Sequence, residues 1–64
     1  MSSWMTEKAV EFAIHAGLIT RVEHCFYWKE NILCFGISPM NERVAYIIKP
    51  YYGRDVWLYR RLEL

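Results

Sequence analysis

Apolar positions recur at helical spacing over residues 4–16 and then change period. Met5, Ala9, Phe12, Ala13 and Ala16, joined by Val10 and Ile14, share one side of a helix; Glu7, Lys8, Glu11 and His15 gather on the other. Ser3 or Thr6 is placed to cap its start, since either hydroxyl can accept an orphan amide hydrogen bond. Gly17 suits the position just past the helix end, where the left-handed conformation carries no Cβ penalty. Leu18 follows as the apolar residue that packs back on the last turn.

Beyond Gly17 the period becomes that of strands. Residues 18–28 hold Val22, Phe26, Tyr27 and Trp28 among polar positions. Lys29-Glu30-Asn31 is the expected turn. Residues 32–37, Ile-Leu-Cys-Phe-Gly-Ile, form a short apolar run suited to a strand buried on both sides, in which Gly36 marks a bulge or the close approach of another backbone. Ser38 to Glu42 reads as a three-residue hairpin loop, with Pro39 presetting φ and Asn41 in the left-handed position. Residues 43–49 make the next strand, and Pro50 to Asp55 a loop. Val56 to Leu64 is expected as a fourth strand, against a competing short helix capped by Asp55, since Leu58, Arg60, Arg61 and Leu62 are good helix formers.

The expected fold is therefore α+β: one N-terminal helix packed on a three- or four-stranded antiparallel β-meander, in the order α-β-β-β-β, with residues 1–64 as a single small domain. An antiparallel sheet with one wet face alternates cleanly; this one does not. Leu33, Phe35, Ile37, Ala45 and Ile47 fall on a first face with Val22 and Phe26, the expected seat of the helix. Ile32, Cys34, Gly36, Val44, Tyr46 and Ile48 fall on a second face with Cys25 and Tyr27. One helix covers one face. The second face, through Ile32, Val44, Tyr46 and Ile48, is accordingly expected to mediate self-association, as surplus apolar surface usually marks contact.

Composition sharpens this. The 64 residues are 55% hydrophobic and 17% aromatic, a high apolar load for a domain small enough to need a supporting interaction. Eight Lys and Arg against seven Asp and Glu give a net charge of +1, which argues against a dedicated polyanion binder. No run approaches a membrane span and no basic leader precedes the first apolar stretch, so the expected setting is cytoplasmic and reducing, with no membrane partner.

The chemistry-bearing residues are sparse. His15, His24, Cys25 and Cys34 lack the spacing of a zinc site, so no metal and no cofactor is expected. The cysteines are expected as small structural thiols, although Cys25 and Cys34 fall opposite each other across the first hairpin. Glu11, Glu23, His15 and His24 form no catalytic motif, which argues against an enzyme. Tyr51, Tyr52, Arg54, Trp57, Tyr59, Arg60 and Arg61 make the one notable cluster, of the residue types enriched at binding hot spots. The favoured expectation is a non-catalytic protein-binding module that docks sterically on a larger protein, in the manner of small phage or mobile-element inhibitors, and that forms a homo-oligomer, a homodimer first among them. The alternatives are a nucleic-acid binder using the same cluster, and a sponge that holds a small ligand between subunits.

Overall fold

The structure, a computed structural model, describes residues 4–51 and 56–64. Helix α1 (Trp4–His15) is followed by strands β1 (Arg21–Trp28), β2 (Asn31–Ile37), β3 (Arg43–Tyr51) and β4 (Val56–Leu62). The strands form one antiparallel sheet in the order β1-β2-β3-β4, which is the expected α-β-β-β-β meander. The tail is a strand, and Asp55 lies outside the described residues.

The helix ends as its sequence dictates. Gly17 has φ +76°, its N–H donates to the Ile14 carbonyl, and the Leu18 N–H donates back to the Ala13 carbonyl at 3.0 Å. This pair of bonds is a Schellman motif. Thr6 lies inside the helix, so it is not the cap; Ser3 is outside the described residues. Space around Gly17 is open, so only its φ resists substitution. Gly17→Ala is expected to lower unfolding stability by about 1 kcal/mol, read by urea denaturation. An unchanged midpoint would contradict the positive φ.

Both tight hairpins follow from local chemistry. Lys29 and Glu30 both take positive φ (48° and 67°) between the paired Trp28 and Asn31, the two-residue turn that matches the twist of the strands. At the second hairpin Asn41 has φ 63°, and the Ser38 N–H donates to the Glu42 carbonyl at 2.8 Å. The buried Ser38 hydroxyl oxygen accepts from the amides of Met40 and Glu42, both at 3.2 Å. Strand β3 runs to Tyr51, past Pro50, which was expected in a loop. The ladder to β2 stops short of Pro50, which pairs only with Trp57 of β4, so its missing N–H leaves no β2 carbonyl unpaired.

The helix sits on the face opposite to the expected one. Ala9 and Ala13 are fully buried against Ile32, Cys34, Val44, Tyr46 and Ile48, with Ile19 sealing one end. Ile32, Val44, Tyr46 and Ile48 are thus core residues beneath the helix, and the expectation that they offer an open self-association surface is corrected. Two features account for this. A bulge in β1 between Val22 and His24 turns Val22 to the face of Gly36, whereas unbroken alternation places it with Phe26. Gly36 has no side chain, so Ile19 and the Arg21 carbonyl close in directly above it. The chain leaving the helix therefore descends onto that side. Each fully buried Ile contributes roughly 1.5–3 kcal/mol to the core.

Cys25 and Cys34 are direct cross-strand partners, Cα to Cα 4.2 Å, and their sulfurs are bonded. The expectation of free thiols is corrected: the hairpin register brings the two residues opposite each other on the helix side, where Cys25 Sγ also lies 3.8 Å from the Thr6 carbonyl oxygen. A thiol titration of the unreduced, denatured chain is expected to read zero; two thiols per chain would contradict the bridge.

Candidate functional site

With the helix on one face, no described element lies over the other. Four rows cross it, by register. His24, Phe35, Ala45 and Leu62 form one row, and Phe26, Leu33, Ile47 and Arg60 the next. Trp28, Asn31, Lys49 and Leu58 follow on one side, Arg21, Ile37 and Arg43 on the other, and Val56 continues β4 at the margin. Phe26, Trp28, Val56 and Leu58 are each 44–47% exposed, unusual for large apolar side chains. Ala45 and Leu33 are buried without any helix over them, shielded by their taller neighbours. Phe26 and Phe35 stack across the first hairpin, centroids 6.0 Å apart and planes 12° apart.

Charges of both signs lie on each side of the sheet, Lys8 and Arg61 among those on the helix side. The open face carries Arg43, Lys49 and Arg60, with Arg21 held 3.8 Å from Glu23 in a solvent-exposed pair at the bulge. Glu7 and Glu11 are exposed on the helix, on the other side of the sheet. Two depressions lie on the open face. A larger one of about 510 Å³ is lined by Glu23, His24, Phe35, Arg43 and Leu64. A shallower one of about 160 Å³ is lined by Asn31, Ile47, Lys49, Leu58 and Arg60. The larger is of mixed character, with Glu23 and Arg43 both in its lining. The smaller is apolar with Lys49 and Arg60 in its lining, so that part of the surface suits an apolar group that brings carboxylates.

The aromatic and basic cluster expected at the C-terminal end is divided by the sheet. Trp57 is half-buried on the helix side, where its ring stacks on Phe12 at 5.8 Å and 23°. Tyr59, on the same side, contacts Phe12 at 5.8 Å and meets Tyr46 edge-on at 6.1 Å. Arg61 pairs with Tyr46 on that side, whereas Arg60 projects from the open face with Leu58 and Leu62. Tyr51 closes β3; Tyr52 and Arg54 lie outside the described residues. Strand alternation thus separates Trp57 and Tyr59, which help seat the helix, from Arg60. Phe26, Trp28, Phe35, Arg43, Lys49 and Leu58 were not singled out from the sequence. Their signal was the regular alternation of β2, β3 and β4, and of β1 beyond its bulge, once the helix face is assigned.

Among the described residues no three His, Cys, Asp or Glu side chains gather as a metal site would require, and no helix is long and apolar enough to cross a membrane. No buried side-chain nitrogen or oxygen lacks a hydrogen-bond partner among them. Comparison with known proteins finds no matching family model, no matching curated protein and no matching solved structure.

Proposed function

We propose that the chain is a non-catalytic protein-binding module that docks through the open sheet face on a larger protein, acting by steric occlusion in the manner of small phage or mobile-element inhibitors. The observation that carries this reading is the uncovered apolar face itself: Phe26, Trp28, Leu58 and Val56 stay nearly half exposed while the opposite face is sealed by α1. Apolar patches of this kind on small proteins mark contact sites. Arg43, Lys49 and Arg60 surround it and select a partner with acidic groups around an apolar centre, raising the encounter rate and excluding basic surfaces.

A nucleic acid on the same face is the competing reading, favoured by its cations and by the rings of Phe26, Trp28 and Phe35. Protein is preferred because aliphatic side chains occupy the middle of the surface, and because Phe26 and Phe35 stack on each other instead of lying flat for bases. Salt separates the two. Capture from a lysate of the source cells, with nuclease present, is expected to retain one protein partner whose affinity falls only modestly between 50 and 200 mM salt. Retention that depends on omitting nuclease, with a steep salt slope, would replace the proposal by nucleic-acid binding.

A further inference from the structure

The open face ends at β4, whose outer edge is unpaired among the described residues. We infer that β4 accepts an extended acidic segment of the partner as an antiparallel fifth strand, an inference that rests on the docking face to which Leu58 and Arg60 belong. The ladder between β3 and β4 runs from Val56 to Leu62 without a bulge, so β4 presents a regular edge over its whole length.

Main-chain geometry fixes which of its groups point outward. Trp28 and Asn31 flank the two-residue turn, so they form a hydrogen-bonded pair and alternation follows from there. Cys25 with Cys34 is then a non-bonded pair. Their Cα separation of 4.2 Å agrees, since such pairs stand about 4.5 Å apart. The main-chain groups of Ile32, Cys34 and Gly36 therefore turn to β3 and bond to Ile48, Tyr46 and Val44. The same alternation reaches Ser38 and Glu42, where the Ser38 N–H does donate to the Glu42 carbonyl at 2.8 Å. On β3, Ala45, Ile47 and Lys49 are left to bond Leu62, Arg60 and Leu58. The N–H and C=O groups of Trp57, Tyr59 and Arg61 thus point to the open edge, and such groups are what an added strand engages.

Charge decides which strand. Arg60 stands on the open face and Arg61 on the helix side, both exposed, and among the described residues neither is in an ion pair. Charge on an edge ordinarily discourages pairing; here it selects. Across an antiparallel edge, outward residues meet outward ones and inward meet inward, so an even position meets an even position. No even position from 52 to 64 is acidic. A second copy therefore leaves Arg60 without a carboxylate in every register between two β4 strands. A strand with two adjacent acidic residues meets both arginines, one on each side of the sheet, and sets apolar residues opposite Val56, Leu58 and Leu62. Each cross-strand ion pair is modest, so main-chain bonds supply affinity and the arginines supply selectivity.

The probe is the peptide acetyl-Val-Glu-Glu-Val-Phe-Thr-Val-amide, written to run against β4 from Leu62 to Val56. Amide hydrogen exchange is followed by NMR on the whole, unreduced chain. Trp57, Tyr59 and Arg61 are expected to exchange freely in the free chain and at least about threefold more slowly with about 1 mM peptide. Leu58 and Arg60, bonded to β3, are expected to be slow in both. Lysine in place of both peptide glutamates is expected to weaken binding about tenfold, and Arg60→Glu/Arg61→Glu to reverse the preference. Arg61→Glu alone is expected to weaken the acidic peptide about threefold, although Arg61 lies off the docking face. No binding at about 1 mM would overturn the inference, as would outward amides that stay unprotected or binding indifferent to Arg61→Glu. Outward amides already slow in the free chain would also overturn it, and fading of that protection on dilution would assign the edge to a second copy. Failure of the docking face reads differently: Leu58→Asp is then silent toward the captured partner, whatever the edge amides do.

Discussion

Gly36→Ala is expected to destabilise the fold by about 3 kcal/mol or more, among the largest effects of any single-atom-group change in this chain. A Cβ at this position meets the carbonyl oxygen of Arg21 and stands 2.7 Å from Cγ2 of the fully buried Ile19. Backbone cannot swing aside as a flexible side-chain end can. The Arg21 carbonyl is also held in place, since Arg21 and Val22 pair with Ile37 and Gly36 just before the bulge. Relief therefore requires the bulge to open or the segment after the helix to lift, and either exposes Ile19. For a domain with a total stability of about 5 kcal/mol, at the low end of the usual range, such a loss leaves a large unfolded fraction at room temperature. Urea denaturation of Gly36→Ala beside Gly17→Ala separates steric from conformational cost. A Gly36→Ala loss no larger than that of Gly17→Ala would show that the strand and the incoming chain are not in contact.

Leu58→Asp is the second large effect, on binding instead of folding. Leu58 lies beside the smaller depression with Lys49 and Arg60 and is 47% exposed. A carboxylate there removes the apolar contact and engages Lys49 and Arg60, the cations offered to the partner's acidic groups, and is expected to weaken partner binding by at least about 2 kcal/mol, the scale of a hot-spot truncation. Lys49→Glu/Arg60→Glu is expected to act mainly by slowing association. Trp57→Ala is expected to lower stability through its lost contact with Phe12, and in the folded fraction to leave the partner affinity within a factor of about three. The opposite ranking, with Trp57→Ala abolishing affinity in folded protein and Leu58→Asp silent, would move the site to the helix side.

The order of elements was legible because each carries its own signal. Alanines at helical spacing, Gly17 at the helix end and the Ser38–Glu42 loop all act through neighbours in sequence. The side of the sheet taken by the helix was not legible, because both faces are apolar and the deciding features are a bulge in β1 and the vacancy over Gly36. Alternation alone passes through residue 23 without a break and puts Val22 with Phe26. The same hidden step misassigned the open surface: Ile32, Val44, Tyr46 and Ile48 became core, and Phe26, Phe35, Ile47 and Leu58 took the exposed role. The C-terminal cluster looked continuous in sequence but lies on a strand, where Trp57 and Tyr59 must face away from Leu58 and Arg60. Pro50 appeared to end β3 because the sequence does not show that β2 stops before reaching it.

The most direct test of the docking face is hydroxyl-radical footprinting of the chain alone and in complex with its captured partner. Protection of Phe35, Ile47 and Leu58, with Ile14 labelled as before, is the predicted result. Protection of Ile14 while Phe35, Ile47 and Leu58 keep their reactivity would contradict it.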